Sequence, residues 1–342
     1  MSERPLDIEH HDQLVDYLRE SGRIEAHESP IVRTLGGGVS NRTVWVQRPS
    51  GEAWVLKQSL PKLRVEVDWY SDPARIRREA LGLSWLERLA PPGTITPLMF
   101  EDPAHNLLAM QAVPEPHENW KSMLLDGRID LRHVGQFAML LATVHQAAAA
   151  SSEPLPELFG DRCFFESLRL EPYYEYTATR VPAATDFLRA LVADTRAHRR
   201  TLVHGDYSPK NILVRNDRLI LLDHEVIHWG DPSFDVGFAM AHLLSKAHHL
   251  PLHRARFIDA ANHFTSVYST SARGIWDEEM DRRSARQTLG CLLARVAGRS
   301  PLEYLHDEER ARQQRVVTKL MGEGRLTLSE TIFRFHGEIN AN

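Results

Sequence analysis

Residues 201–238 read TLVHGDYSPKNILVRNDRLILLDHEVIHWGDPSFDVGF, and this stretch decides the fold of the chain. Two short apolar runs, ILV and LILLD, are joined by the turn residues 215–217, which predicts a β-hairpin. Asp206 and Asn211 lie in the loop before the hairpin, and Asp223 lies at its far end. The sequence therefore predicts that three oxygen-bearing side chains meet at one end of a hairpin.

These three side chains have the chemistry of a cation site beside a proton acceptor. One carboxylate and one amide oxygen suit a hard cation such as Mg²⁺. A second carboxylate in the loop is able to accept the proton of an attacking hydroxyl. The stretch is thus expected to be a catalytic and metal-binding strip.

The phrase HGDYSPKN followed by LLDHE resembles the signature HGDxxxxN with its downstream aspartate. Aminoglycoside phosphotransferases, choline kinases, fructosamine kinases and methylthioribose kinases share it. The resemblance implies an α+β, two-lobed protein-kinase-like fold, with a small antiparallel-sheet N-lobe and a larger, mostly helical C-lobe. It also implies ATP or GTP as phosphoryl donor and Mg²⁺ as cofactor.

The resemblance further assigns roles within the strip. Asp206 would be the catalytic aspartate facing the acceptor hydroxyl, and Asn211 and Asp223 would hold Mg²⁺ between the nucleotide phosphates. His204 would support the loop, and Glu225 would be a further carboxylate near the metal. Ser208 and Lys210, inside the same motif, are further candidate catalytic residues.

The interior of the motif departs from the family pattern. Protein kinases place a lysine two residues after the catalytic aspartate, and many small-molecule relatives place a histidine there. This chain has Ser208 at that position and Lys210 two residues later. Either one could contact the transferred phosphate. Asp235, in WGDPSFDVGF, is expected to anchor the loop by hydrogen bonds from the start of a helix, without a catalytic role.

A glycine run precedes the first predicted hairpin, in LGGGVSNRTVWV. It lacks the GxxxxGK[ST] pattern of a P-loop, and a flexible surface turn would explain a glycine run equally well. Placed between two predicted strands, it resembles the phosphate-covering loop of the family. Gly36, Gly37 and Gly38 would then allow close backbone approach, and Ser40 or Asn41 would donate to phosphate oxygens.

Two charged residues and one strand complete the predicted nucleotide site. Lys57, flanked by apolar residues in AWVLKQ, lies where the kinase-like fold keeps the lysine that pairs with the α- and β-phosphates. Glu79, on the next predicted helix, is its expected partner, with a surface salt bridge as the alternative. The strand AMQAVP is expected to be the hinge, where backbone groups of Gln111 and Val113 recognise the purine edge.

The predicted secondary structure changes near residue 114. Strands, one helix and further strands precede it, and helical periodicity dominates after it. We therefore expect an N-terminal nucleotide-binding lobe at 1–113 and a C-terminal catalytic and acceptor-binding lobe at 114–342. Residues 153–182, rich in aromatics and prolines, are expected to form either a packed loop or a lid over a ligand.

Composition excludes several classes of protein and partner. Lys and Arg number 41 against 46 Asp and Glu, so the net charge of -5 offers no general attraction to nucleic acid or to anionic membranes. The 2 cysteines have no CxxC spacing, which disfavours disulfides and a thiolate metal site. With neither a signal peptide nor a membrane-spanning run in the sequence, a cytoplasmic protein is expected.

The acceptor is the least determined part of the prediction. It is expected to be a hydroxyl of a small molecule that is sugar-like or otherwise not polycationic, since the later helices carry cationic or neutral donors rather than acidic clusters. These donors are His242, Lys246, His249 and Arg295. An aminoglycoside phosphotransferase and a non-catalytic nucleotide-binding regulator are the alternatives, and the oligomeric state is not readable.

Overall fold

The computed structural model describes residues 6–36, 38–65 and 68–341. Internal contacts divide the chain into two units, Met1–Arg88 with Ile95–Pro116 and Leu89–Thr94 with His117–Asn342. The predicted boundary after residue 113 differs from this division in two places: the first unit runs on to residue 116, and 89–94 joins the second unit. The second difference has a local cause, because the backbone N–H of Leu221 donates to the carbonyl of Thr94 at 2.8 Å.

The first unit contains an antiparallel sheet in the order β1-β2-β3-β5-β4. The predicted order of strands, one helix and further strands is confirmed. The strands of this unit are β1 (Ile31–Thr34), β2 (Asn41–Gln47), β3 (Ala53–Ser59), β4 (Leu98–Asp102) and β5 (Leu107–Gln111), and its helices are α1 (His11–Glu20) and α2 (Arg75–Leu89).

The two faces of this sheet bury different kinds of side chain. Trp54 and Leu56 of β3 point to one face, where they share a core with Leu14 and Leu18 of α1. Because side chains alternate along a strand, Lys57 points to the opposite face. The alternation therefore separates an apolar core from the face that carries the predicted nucleotide lysine.

The second unit is mostly helical and holds two small sheets, β10-β7 and β6-β8-β9. Its strands are β6 (Glu118–Asn119), β7 (Thr201–Val203), β8 (Ile212–Arg215), β9 (Arg218–Leu221) and β10 (His228–Gly230). Its helices are α3 (Trp120–Leu125), α4 (Leu131–Ala149), α5 (Leu155–Leu158), α6 (Cys163–Phe165), α7 (Tyr176–Arg180), α8 (Thr185–Ala197), α9 (Ser233–His249), α10 (Arg254–Ser271), α11 (Glu278–Ala297), α12 (Asp307–Met321) and α13 (Leu328–Ala341).

The aromatic and proline-rich segment 153–182 is largely helical, so the expectation of an irregular loop is wrong, and a role as a lid remains a prediction. A π-helical stretch, Glu166–Glu175, joins α6 to α7 and contains Pro172. Widened helical turns accommodate a residue that cannot donate an N–H, which explains how a proline persists there. The alternative of plain packing is confirmed for its aromatics, since Phe165 and Tyr174 are buried.

In the described part of the chain, every helix is too short or too polar to cross a lipid bilayer.

Candidate active site

The predicted hairpin is formed by β8 and β9. Ile212 pairs with Leu221 and Arg215 with Arg218, in antiparallel register. The two turn residues at 216 and 217 have φ angles of 49° and 57°, the left-handed pair that a tight two-residue hairpin turn requires. The hairpin prediction is therefore confirmed in both its strands and its turn.

Asn211 and Asp223 lie together at the open end of this hairpin. The backbone N–H of Leu222 donates to the carbonyl of Asn211 at 2.9 Å, which extends the strand pairing by one residue, and Asp223 follows directly. Asp223 has a φ of 69°, a strained conformation that non-glycine residues adopt mainly at turns and functional sites. Its carboxylate and the amide oxygen of Asn211 are donors of the type that Mg²⁺ prefers, so the pair fits a divalent cation.

Asp206 is held at one of its two carboxylate oxygens. The amide nitrogen of Asn211 donates to Oδ2 at 2.7 Å and to the backbone oxygen of Asp206 at 3.0 Å. Among the described residues, Oδ1 has no hydrogen-bond partner. One oxygen is thus fixed by the protein while the other is available to a hydroxyl. The same contact turns the amide oxygen of Asn211 away from Asp206.

Arg169 is a site residue that the sequence analysis missed. Its Nη2 lies 3.0 Å from Oδ2 of Asp206, and its Nε donates to the carbonyl of Gly205 at 2.8 Å. Arg169 lies on the π-helical stretch, 37 positions before Asp206 in the sequence, and no local pattern marks it. Only the tertiary fold brings this arginine to the catalytic loop.

The charge of Arg169 is stabilised by the site. Burial is the largest single influence and would lower its pKa, but the carboxylate of Asp206 together with Tyr173, Glu225 and Asp223 outweighs burial, and the pKa is raised. Arg169 is therefore a permanent cation in the field of three carboxylates of the strip, Asp206, Glu225 and Asp223.

Asp235 anchors the catalytic loop, as the sequence analysis predicted. Its Oδ2 accepts the backbone N–H of His204 at 2.7 Å, and its Oδ1 accepts that of Gly205 at 2.8 Å. Gly205 has a φ of +78°, and a Cβ there would lie 2.9 Å from Cγ2 of Val226, so the position requires glycine. His145 donates from Nε2 to Oδ2 at 3.2 Å and completes the support.

His204 supports the loop from inside. Its Nδ1 accepts the backbone N–H of Asp206 at 3.2 Å, and its Nε2 lies 3.1 Å from Nδ1 of His224. Burial lowers the pKa of His204, although the carboxylates of Asp235 and Asp206 oppose this. A neutral imidazole matches the acceptor role of Nδ1. The contacts thus agree with the supporting role that was expected.

Ser208 and Lys210 differ sharply in exposure. Ser208 is 2% exposed, whereas Lys210 is exposed and its carbonyl accepts a hydrogen bond from Nδ2 of Asn119 at 2.8 Å. Of the two, only the lysine presents its side chain to solvent. Contact of either side chain with a transferred phosphate remains a prediction, and the difference in exposure favours Lys210.

Lys57 and Glu79 form the ion pair that the sequence analysis predicted. Nζ of Lys57 lies 2.6 Å from Oε1 of Glu79, and the glutamate side chain is 0% exposed. Period-two alternation points Lys57 toward α2, where Glu79 lies on the buried face. Burial of the carboxylate distinguishes this contact from an ordinary surface salt bridge.

The glycine loop lies between β1 and β2. Gly37 is outside the described residues. A Cβ at Gly36 would meet no atom within 4 Å, and at Gly38 the nearest atom would lie 3.7 Å away. Neither position has the left-handed φ that demands glycine, and close approach of a phosphate to these two glycines remains a prediction.

Ser40 and Asn41, at the end of this loop, are buried and bonded to their neighbours. Oδ1 of Asn41 accepts from Oγ of Ser59 at 2.9 Å, and its Nδ2 donates to Oγ of Ser40 at 3.3 Å. Arg75, which is fully buried, donates to the carbonyl of Ser40. These contacts give both side chains a structural role, and their donation to phosphate remains a prediction.

The predicted hinge backbone is only partly available. The N–H of Gln111 donates to the carbonyl of Pro97 at 2.9 Å, and that of Ala112 donates to Ala53 at 2.9 Å. Among the described residues, no hydrogen bond uses the backbone of Val113. The N–H of Gln111 is therefore excluded as a donor to a purine, while Val113 retains its donor and acceptor.

The antiparallel sheet with its Lys–Glu pair, followed by a helical unit with its loop and hairpin, defines the protein-kinase-like class of α+β folds. The fold class predicted from sequence is thereby confirmed. Among solved structures, an amicoumacin kinase has a TM-score of 0.57 and 12% identity, covering 91% of this chain and 96% of that one. A choline kinase from Cryptosporidium parvum has a TM-score of 0.55 and 11% identity, covering 94% and 99%. At such identities the likeness establishes the fold alone.

The chain belongs to the phosphotransferase enzyme family, which it matches over residues 31–268. It is 27% identical over 264 residues to the methylthioribose kinase of Pectobacterium atrosepticum, and 28% identical over 262 residues to that of Yersinia enterocolitica. The alignments cover 68% and 67% of this chain and 64% of each kinase. The chain thus matches less than two thirds of the length of these relatives. The family resemblance stated from the sequence is confirmed.

Proposed function

We propose that this protein transfers the γ-phosphoryl group of ATP to a hydroxyl of a small molecule that is not polycationic. The observation that carries the proposal is Asp206, whose Oδ2 is fixed by Asn211 and Arg169 while Oδ1 lacks a partner among the described residues. Oδ1 would orient the acceptor hydroxyl and take its proton as the oxygen bonds to phosphorus and the bond to ADP breaks.

Asn211 and Asp223 would hold Mg²⁺ in this reaction. When bound, Mg²⁺ would neutralise charge on the transferred and leaving phosphates. The donor types support this role, because a carboxylate and an amide oxygen meet at the open end of the β8–β9 hairpin. Arg169 and Lys210 are the cations that this chain supplies on the side of the catalytic loop.

The first unit would bind the nucleotide. Lys57, oriented by Glu79, would pair with the α- and β-phosphates, and the glycine loop would cover them. The free backbone groups of Val113 would hydrogen-bond to the purine edge. ATP and GTP differ at that edge, so the N–H and carbonyl of Val113 and the carbonyl of Gln111 would decide between them.

Methylthioribose is the first acceptor to test, because the curated relatives are methylthioribose kinases. Aminoglycosides are the contrasting acceptors. A polycation would meet buried cationic side chains in the second unit, since Lys246 and Arg295 are both buried. The chain therefore favours neutral or anionic acceptors.

The test is an acceptor screen with Mg-ATP, measuring ADP release and confirming the phosphorylated product by ³¹P NMR. We expect transfer to sugars or other small hydroxylated molecules and little transfer to aminoglycosides. Efficient and selective phosphorylation of aminoglycosides would contradict the proposed acceptor class. Tight nucleotide binding with no transfer to any acceptor would instead support a regulator of the same fold.

A further inference from the structure

An aromatic and cationic path leads from Asp206 to a group of buried basic side chains. The guanidinium of Arg169 lies 5.7 Å from the ring centroid of Tyr173 and 6.0 Å from that of Phe238. On the other side, Nη1 of Arg295 donates to the hydroxyl of Tyr173 at 3.0 Å. Arg295, near the end of α11, is thus separated from the catalytic aspartate by one arginine and one tyrosine.

Helix α9 contributes two basic residues beside this path. Phe238, His242 and Lys246 follow at intervals of four and therefore share one helix face. The rings of Phe238 and His242 lie 5.0 Å apart. Nζ of Lys246 donates to the carbonyl of His242 at 3.3 Å and lies 5.3 Å from the ring of Tyr304. We call Arg295, His242 and Lys246 the basic subsite.

The basic subsite is buried without an acidic partner. Lys246 is 0% exposed, His242 6% and Arg295 9%. Within the described residues, none of the three forms an ion pair with a carboxylate, and the ring of His242 makes no hydrogen bond. The nearby Glu303 is already bound by Lys121.

The pKa values of Lys246 and His242 are shifted in the direction expected for buried cations without an acidic partner. Burial lowers the pKa of Lys246 to about 7, with Lys121 and Arg295 lowering it further and Glu303 opposing. Burial also lowers the pKa of His242 well below its ordinary value, and four neighbouring cations act in the same direction. These cations are Arg295, Lys246, Lys121 and Lys210. A buried cation without a counter-charge is costly, and a bound anion would offset that cost.

We propose that the basic subsite binds an anionic group of the acceptor, a carboxylate or a phosphate ester, while a hydroxyl of the same molecule reaches Asp206. The inference rests on the proposed function and narrows its acceptor class. A neutral polyol would leave the cost of the buried ammonium unchanged, and a polycation would add repulsion.

The test compares acceptors that differ by one anionic group. Glycerol is paired with glycerate, ribose with ribose 5-phosphate, and methylthioribose serves as a further neutral acceptor. We expect kcat/KM to be about 10- to 100-fold higher for the anionic member of a pair, mainly through KM, since charge-assisted hydrogen bonds act before and during transfer. The two pairs distinguish a carboxylate subsite from a phosphate subsite.

Variants of the basic subsite test whether its residues cause the preference for the anionic acceptor. Lys246→Met and His242→Asn are expected to lower kcat/KM for the anionic member far more than for the neutral member, which removes most of the preference. Arg295→Gln serves as a third variant, read together with its unfolding curve because Arg295 also bonds Ser300. Arg315→Gln, an exposed arginine on α12, is the matched control and should change neither rate.

The outcomes separate the inference from the function it rests on. Equal or faster transfer to the neutral members, or variants that slow both members equally, would overturn the basic subsite and leave the kinase proposal standing. No transfer to any acceptor would count against the kinase proposal. Thermal stabilisation by glycerate and by ribose 5-phosphate, with a non-hydrolysable ATP analogue and Mg²⁺ present, then decides on the subsite. Stabilisation lost in Lys246→Met supports it, and an equal or absent shift in both proteins overturns it.

Discussion

Lys57 in the first unit and Lys246 in the second are both largely buried, yet their surroundings differ. The ammonium of Lys57 lies 2.6 Å from a fully buried carboxylate, Glu79. Among the described residues, the ammonium of Lys246 contacts the carbonyl of His242 at 3.3 Å and the face of Tyr304, and it forms no ion pair with a carboxylate. One cation is neutralised by the chain itself, and the other is not.

This difference indicates what each lysine is built for. A buried pair keeps Lys57 oriented whether or not a nucleotide is present. A lone buried ammonium costs free energy until an anion arrives, so Lys246 is suited to a ligand rather than to stability. The lesson is that paired and unpaired buried charges of one residue type have different consequences when removed.

The largest expected effect separates chemistry from nucleotide binding. Asp206→Asn keeps an oxygen that can accept from Asn211 but removes the charge that is proposed to take the hydroxyl proton. We expect kcat to fall about 10²- to 10⁴-fold, with the Kd of Mg-ATP unchanged because the first unit is intact. Assays of ADP release measure kcat, and calorimetry measures the Kd of Mg-ATP. A parallel loss of nucleotide affinity would show that the two units do not divide the work as described.

The second prediction tests the paired lysine. Lys57→Met leaves Glu79 as a buried anion, so we expect the free energy of unfolding to fall by about 3 kcal/mol. The double variant Lys57→Met with Glu79→Leu should recover most of that loss, because no buried charge remains. Urea unfolding measures both. A single variant as stable as the wild type would remove the distinction between the two lysines.

The third prediction concerns Arg169, a positioning residue for Asp206. Arg169→Gln removes the cation 3.0 Å from Oδ2 of that carboxylate. We expect kcat to fall by roughly 10- to 100-fold, the value of a charge-assisted hydrogen bond, with the KM for ATP little changed. Arg169→Lys should restore part of kcat. A merely structural role would instead lower stability and leave kcat of the folded enzyme near the wild-type value.

The smallest expected effect is a change in the pH dependence of the free energy of unfolding. The lowered pKa of Lys246, about 7 against an ordinary 10.5, means that the unfolded chain binds the extra proton between these values and the folded chain does not. The contribution of Lys246 to stability therefore rises with pH across that window, by up to about 1.4 kcal/mol per pH unit. Below pH 7 the full cost of burying the charge is present.

Lys246→Met should remove that slope and should not destabilise the protein at pH 7, in contrast with Lys57→Met. The difference between wild-type and variant unfolding free energies, measured from pH 6 to 10, isolates Lys246 from other titrating groups. The charged and titratable groups that face it are His242, Lys121, Arg295, Glu303 and Tyr304. A difference that does not vary with pH would contradict the shifted pKa.

The sequence predicted the parts of the site that local rules determine. The hairpin follows from its turn residues, and Lys57 and Glu79 follow from strand and helix periodicity combined with a family resemblance. Arg169 could not be predicted, because it reaches Gly205 and Asp206 from a π-helical stretch whose proline, Pro172, favours a loop when only the sequence is read. The hydrogen bond that occupies the N–H of Gln111 could not be predicted either, because it depends on the register of the strands.

Burial was also beyond the sequence. The basic residues of α9 read as ordinary helix positions, and the tertiary structure reveals that Lys246 is buried and forms no ion pair with a carboxylate among the described residues. His249, grouped with them from sequence, differs in that it lies 3.1 Å from Glu309 and has an acidic partner. Tertiary contacts thus divide a set that the sequence treated as uniform.

Helix α9 holds Asp235, which binds the loop at His204 and Gly205, in its first turn, and it carries His242 and Lys246 two and three turns later. The first turn and the later turns are joined by rigid backbone but are independent in sequence. With the roles proposed above, substitutions at 242 and 246 would change which acceptor is bound and would leave the loop held by Asp235 intact. This arrangement offers a physical route by which new specificities evolve from one ancestral reaction, and it makes α9 the helix to randomise when a new acceptor is wanted.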